Sequence, residues 1–589
     1  MNAGRRARPG PGPRAALVAA LLLMLAGCAL SPARQQQVAQ RIATEQPQAL
    51  ECRPPQGCAP ASPMHALLDL DDGRHRVLLL EQGADALRVR LHLLRTARRS
   101  IDVQTYILNE GASTELVLAE LLAAARRGVR VRLLADQLFS FDDPEQLAAL
   151  ALAHRNFELR FYNPTFKEAR TQAWEFAAGI LCCFSRFNQR MHNKLLLVDD
   201  SVAIIGGRNY RDSYFDLDPE FAYYDRELMV LGPAVADMRA SFEAFWRHRR
   251  AVAAASLHDV GRVLLDPADT GPALGEPAAT ADGVRERLAE LSAQADDPAL
   301  VAERFVEPVR AVDDLRYVTD APVKIGSRRP DANAASEAIA DLLAGARHEV
   351  LMQTPYLVLG RDSLRMFRAK RERQPGLVVR VSTNSLAATD AYPVYALSYK
   401  YKKRYLRELG FRIHEFQPAP ADIGAMVELA GPVRAPRVSM HAKSLVVDRH
   451  TSLVGTHNFD PRSDRYNTEA AVIIEDAPFA EQLATSLLRD MERGNSWVIA
   501  PVERGPAPLY ALSRMLESIS TALPLFDLWP FRYATSWEAE PGCPPVEPGQ
   551  PGFHDCHRDV GDFPEVDSPM RRFLTRLAAA FGAPAVPIL

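Results

Sequence analysis

One pattern of five residue types occurs twice in this chain at a fixed spacing. His192-x-Lys194-x4-Asp199, followed by Gly206 and Asn209, returns as His441-x-Lys443-x4-Asp448, followed by Gly455 and Asn458, each residue 249 positions after its counterpart. A match of this kind at one offset points to duplication. His and Lys two apart on a strand face the same way. Two such strands brought together therefore gather two His and two Lys around one anionic group.

The repeat extends beyond the motifs. Ala97-Arg98 precedes the run Ile101–Tyr106, and Ala346-Arg347 precedes Val350–Pro355, still 249 apart. Each copy reads as helix, buried strand, helix, strand, then a strand ending near Asn163-Pro164 or Gln417-Pro418, where the offset drifts to 254 as a loop insertion would cause. The motif strands follow, and Glu227 and Glu469 open what read as equivalent strands after them. Strands alternating with helices predict two α/β halves with largely buried sheets. The repeat is too long for a solenoid unit, which leaves a pseudo-twofold pair of halves sharing one site.

At 589 residues the chain has room for two to four domains, and 47% hydrophobic residues can fill large cores. A net charge of −3 gives no general pull toward nucleic acid or anionic membrane. Arg5, Arg6, Arg8 and Arg14 precede a short apolar core, Ala15–Ala26, of signal-peptide proportions. It ends in Leu25-Ala26-Gly27-Cys28, which resembles a bacterial lipobox. The resemblance implies cleavage before Cys28 and lipidation of that thiol. Ala29 in place of Asp favours sorting to the outer membrane, hence a lipid-anchored, periplasm-facing protein of a bacterial envelope. The expected organisation is a signal peptide (1–27), a polar tether (28–63), a first half (64–250), a connector (251–320), a second half (321–500) and a C-terminal extension (501–589) with aromatics at Phe526, Trp529, Phe531 and Tyr533.

In an oxidising compartment Cys52 with Cys58 and Cys543 with Cys556 are candidate disulfides. Cys543, His554, Cys556 and His557 are alternatively a metal set, which the absence of paired CxxC spacing disfavours. Two further stretches invite readings. Ala173–Phe184, just before the first motif, is unusually apolar, and either enters a bilayer interface or packs in the core. Tyr399–Tyr405 alternates aromatic and basic residues, suited to lipid headgroups or phosphates, or to a solvated helix face.

The doubled pattern resembles the phospholipase D superfamily, whose signature is HxKxxxxD followed by G[GST]xN. Both copies are complete, as Gly206-Gly207-Arg208-Asn209 and Gly455-Thr456-His457-Asn458. The resemblance implies two α/β halves, each a mixed sheet flanked by helices, around one metal-independent site without a cofactor. It makes His192 the nucleophile on phosphorus, through a covalent phosphohistidine, and His441 the acid and base. Lys194, Lys443, Asn209 and Asn458 are expected on the phosphate oxygens, with Thr456 adding a hydroxyl that Gly207 cannot. Glu227 and Glu469 are expected to hold the histidines, and Asp199 and Asp448 to brace the motif strands.

Longer runs narrow the substrate. Asn384-Ser385-Leu386-Ala387-Ala388-Thr389-Asp390, Gly206 through Phe215 and Asn458 through Ser463 resemble bacterial cardiolipin synthases of the periplasm-facing C type. That implies phosphatidyl transfer between phospholipids, with phosphatidylglycerol and also phosphatidylethanolamine as substrates and no nucleic acid. Hydrolysis to phosphatidic acid, a secreted phosphodiesterase or nuclease, and a lipoprotein that only binds anionic lipid are the other readings.

Overall fold

The computed structural model describes residues 31–51, 58–70, 72–266, 282–429, 435–502 and 533–575, the last stretch without 545, 567, 569 and 573. In chain order the first strands are β1 (His75–Leu80), β2 (Ser100–Thr105), β3 (Arg130–Asp136), β4 (Phe157–Tyr162), β5 (Leu195–Val198), β6 (Val202–Gly206), β7 (Phe221–Tyr224), β8 (Glu227–Leu231), β9 (Ala251–Ala253) and β10 (Arg310–Val312). Then come β11 (Asp314–Thr319), β12 (Glu349–Gln353), β13 (Val378–Asn384), β14 (Arg412–Phe416), β15 (Arg437–Met440), β16 (Ser444–Val447), β17 (Thr451–Gly455), β18 (Ala470–Glu475), β19 (Ser496–Pro501), β20 (Ala534–Ala539) and β21 (His557–Gly561).

Two large sheets form, and their orders superimpose. The first runs β10-β1-β8-β6-β5-β2-β3-β4-β9, and the second β11-β18-β17-β16-β12-β13-β14-β19-β20-β21. In each, one three-strand set is parallel, β2-β3-β4 and β12-β13-β14, while the motif strand joins it antiparallel. These are the two mixed sheets that the repeat anticipates. The central strands β2, β5, β6 and β8 are buried on both faces, which explains why β5 and β6 read as unbroken apolar runs without alternation.

The halves meet through one continuous core. Ala203, Ile205, Leu228 and Val230 pack in the same cluster as Val446, Val454, Val472 and Ile474. A buried ionic tie reinforces the junction. Arg226 bonds Asp490 at 2.7 Å and Glu81 at 3.0 Å, with Arg226 and Asp490 both closed to solvent.

Several segments differ from their sequence reading. The expected tether contains a helix, Pro32–Glu45, started by the Ser31 side chain and docked by Val38 on the first core. The connector region supplies β9 and β10 to the first sheet and β11 to the second. Past residue 501, β20 and β21 extend the second sheet, closed by a Cys543–Cys556 disulfide. Cys28, Cys52, Phe526, Trp529 and Phe531 lie outside the described residues. Among those described, no helix is long and apolar enough to cross a membrane.

Candidate active site

The two motifs are brought together by strand exchange between the halves. β15, leading into His441, pairs in parallel with β7 of the first half, and His441 N–H bonds the Tyr224 carbonyl at 2.7 Å. On the opposite side Met191 bridges Thr468, and His192 N–H bonds the Thr468 carbonyl at 3.0 Å. Each histidine is thus held by backbone from the other half.

The same crossing supplies their carboxylates. His192 Nδ1 lies 2.8 Å from Glu469 Oε2. His441 Nδ1 lies 2.6 Å from Asp225 Oδ2, and here the expectation fails. Glu227 does not reach a histidine. It is buried against Arg90, at 2.5 Å, and Arg208, at 3.4 Å. Strand register explains the error. Gly206 faces Glu227 across β6 and β8, whereas Gly455 faces Ala471 across β17 and β18. Ala471 is therefore the counterpart of Glu227, and Asp225 that of Glu469, two residues away on the same face.

Thr456 also has a different task. Its hydroxyl donates to Glu469 and accepts from Ala470 N–H at 3.0 Å, so it braces the carboxylate that holds His192. At the matching position a Cβ on Gly207 would stand 2.2 Å from Asp225 Oδ1. Glycine leaves room for the Asp225 carboxylate. The two halves are unequal because each solves the same carboxylate placement differently.

Asp199 and Asp448 touch neither histidine. Each carboxylate collects three backbone N–H groups, of Arg98, Arg99 and Ser100 or of Arg347, His348 and Glu349, at 2.6–2.9 Å. Both sit at positive φ, 56° and 50°. They pin the turn after the motif strand to the start of β2 or β12. Asn209 takes Ile107 N–H at 3.1 Å and donates to Tyr214 at 3.0 Å. Among the described residues the Asn458 amide oxygen is buried without a hydrogen-bond partner, an open acceptor in the site.

Lys194 Nζ bonds the His192 carbonyl at 2.8 Å, and Lys443 Nζ lies 2.9 Å from His441 Nδ1 and 3.1 Å from Nε2. Burial strips both ammonium groups of water, and the charge of Lys443 lowers Lys194 further. Lys194 falls to about 7 and Lys443 to about 8, with the Glu469 and Asp225 carboxylates opposing. An anion placed between them relieves both penalties. Burial and then the lysines hold His192 neutral, down at about 3, against the pull of Glu469. Burial and Lys443 also lower His441, but two carboxylates, Asp225 and Asp390, oppose the shift there. His441 is thus the histidine with more acid about it.

Aromatic rings shape the rest, and the motif gave no sign of them. Tyr106 stands edge-on to His192 at 4.7 Å, while Tyr214 and Tyr223 stand edge-on to His441 at 5.4 and 5.2 Å. The run Asn384–Asp390 belongs to the site too. Asn384 bonds Met440 on both N–H and carbonyl, and the Asp390 carboxylate accepts from Tyr223 and Tyr356, each at 2.9 Å. In the basic-aromatic stretch Tyr395, Tyr399 and Lys402 are buried, and Lys402 pairs with Glu415 at 2.7 Å.

The apolar segment resolves in favour of exposure. Helix Ala173–Cys182 is inside out. Glu175 and Gly179 are buried, while Trp174, Phe176, Ile180 and Leu181 face outward, Leu181 at 86% of its full area. A disulfide joins Cys182 to Cys183, a neighbouring pair that the sequence reading left without a role.

A sequence profile described as "Cardiolipin synthase, PLD-like domain" matches residues 91–246 and 339–491. The chain belongs to this family. Cardiolipin synthase C of Escherichia coli K12 is 30% identical over 437 residues, covering 72% of this chain and 86% of that protein. Cardiolipin synthase A of Pseudomonas aeruginosa PAO1 is 26% identical over 420 residues, covering 71% and 67%. A solved phosphatidylserine synthase from Haemophilus influenzae Rd KW20 superposes with a TM-score of 0.45 at 15% identity, covering 82% of this chain and 98% of that one.

Proposed function

We propose that the chain transfers a phosphatidyl group from one phospholipid to the hydroxyl of another, as a cardiolipin synthase does. The observation that carries this reading is the crossed pair of His–carboxylate contacts, His192–Glu469 and His441–Asp225, with Lys194 and Lys443 buried beside them. With Nδ1 tied to a carboxylate, each imidazole keeps Nε2 for chemistry. His192 Nε2 forms a bond to phosphorus as the bond to the departing alcohol oxygen breaks, and that oxygen takes a proton from His441. The incoming hydroxyl then returns a proton to His441, bonds phosphorus, and releases His192. The lysine ammonium groups and the Asn458 amide N–H donate to the phosphate oxygens as charge builds on them.

Two features support a lipid substrate over a nucleic acid. The outward apolar helix Ala173–Cys182 stands close before His192 in the chain and suits a bilayer interface. The resemblance of Leu25–Cys28 to a lipobox supports a lipid anchor on Cys28, which would tether the site to the envelope membrane beside phosphatidylglycerol and phosphatidylethanolamine. The test is product analysis with the purified chain and labelled phosphatidylglycerol, with and without phosphatidylethanolamine. Labelled cardiolipin is the expected product. Phosphatidic acid alone would mean a hydrolase, and no turnover would overturn the reading.

A further inference from the structure

The transfer proposed above needs two phosphates, one that reacts and one that the accepting lipid keeps. The lysines and Asn458 serve the first. A second cationic site stands beside His441, built partly by the extension beyond the residues that the family profile matches.

Arg437 belongs to β15, the strand that leads into His441. Its guanidinium donates to the Ala387 carbonyl at 2.8 Å and the Thr389 carbonyl at 3.4 Å. Arg571, from the C-terminal extension, donates to the same Thr389 carbonyl at 3.0 Å. Two guanidinium groups thus converge on one neutral oxygen. Among the described residues neither forms an ion pair, and the charge of Arg571 is felt at Arg437. The acid nearest in sequence, Asp390, accepts from Tyr223 and Tyr356.

The pair is held firmly and lies next to the reacting centre. Phe563 and Val566 of the extension pack with Leu386, Ala387, Tyr395 and Tyr399, and Tyr399 bonds Asp562 at 2.7 Å. Tyr223, whose ring is 5.2 Å from His441, links that histidine to Asp390, the residue after Thr389. The positive charges of Arg211 and Arg437 both act on the Tyr223 hydroxyl. The order outward from His441 is therefore tyrosine, carboxylate, arginine pair.

We propose that Arg437 and Arg571 bind the spectator phosphate of the accepting phospholipid, while Asp390 accepts a hydrogen bond from the free hydroxyl of its glycerol headgroup. Arg437 stacks on the Phe221 ring at 4.6 Å, and an anionic phosphodiester answers two guanidinium groups that have no carboxylate partner among the described residues. A carboxylate between the arginines and His441 suits a headgroup that carries hydroxyls between its phosphate and the attacking oxygen. The inference rests on the acceptor being a second phospholipid. It gives the extension a role in choosing that acceptor over water.

The test compares the full chain with Arg571→Ala and Arg571→Lys in mixed micelles of labelled phosphatidylglycerol. The expected result is a fall of about tenfold in the ratio of cardiolipin to phosphatidic acid for Arg571→Ala, as loss of one charge-assisted contact would give, with recovery in Arg571→Lys. An unchanged ratio, or an equal loss of both products, would overturn the proposal. If the unaltered chain makes no cardiolipin, the proposed function falls, and calorimetric titration of a Lys194→Ala/Lys443→Ala chain with inorganic phosphate decides the anion site alone. Binding that disappears on adding Arg571→Ala supports that site, and no binding overturns it. Phosphate binding that depends on Arg571, together with an unchanged product ratio, would mark a free-phosphate site and overturn the lipid assignment.

Discussion

Each histidine of the site depends on a carboxylate carried by the other half, and the two carboxylates are not interchangeable in the sequence. Asp225→Asn is expected to lower turnover by about 10²–10⁴-fold, the range of a general acid–base contribution. Glu469→Gln is expected to match it. Glu227→Gln should instead lower thermal stability, since it weakens the buried contacts to Arg90 and Arg208, and leave kcat within a few-fold. Turnover assays and melting curves on the three variants check this, and a catalytic loss confined to Glu227→Gln would contradict it. Protonation gives a second expectation. His192 has its folded pKa depressed from 6.5 to about 3, so the unfolded chain binds the proton first. The stability tied to the neutral imidazole is present above pH 6.5 and is lost as pH falls toward 3, by at most about 1.4 kcal/mol per pH unit. The urea midpoint should fall more steeply between pH 7 and 5 in the natural chain than in His192→Asn. Of these residues, the motif letters were legible because they recur at one offset. Asp225 was not, because the loop before it differs in length from the one before Glu469 and the offset drifts there. Only the register of β8 against β6 exposes the two-residue slip.

At the scale of elements, the helix Ala173–Cys182 reverses the usual arrangement. Its acid, Glu175, is inside and caps Gln172 N–H at 2.9 Å, while its large apolar side chains face out. Exposing such a face in water is unfavourable unless something covers it. Trp174→Ser/Phe176→Ser should keep its melting temperature, because the side chains that it changes are already exposed, and should lose most binding to phosphatidylglycerol vesicles in sedimentation. Unchanged vesicle binding in the folded variant would contradict a membrane role. The apolarity of this segment was plain in the sequence. Its orientation was not, because a short apolar run fits a buried helix equally well. The paired sheets were legible for the opposite reason. β5 and β16 are buried on both faces, so their sequences carry an unmistakable apolar run bounded by the motif. The Pro32–Glu45 helix escaped notice because it buries little more than Val38.

At the scale of the molecule, duplication explains why neither half is sufficient. Each sheet completes its own core, but the strand partner and the carboxylate of each histidine come from across the junction. A pseudo-twofold arrangement also makes asymmetry available. His441 lies near two carboxylates and His192 close to one, so two residues of one type stand in unequal surroundings. The most direct measurement of this account is capture of the intermediate. The chain is mixed with phosphatidylglycerol labelled in its phosphate, quenched in alkali within one turnover, digested with trypsin and read by mass spectrometry. A phosphatidyl adduct is expected on the peptide Met191–Lys194, absent from His192→Asn, which makes no product. Undiminished turnover in His192→Asn, or product formed in the burst with no modified histidine, would contradict it.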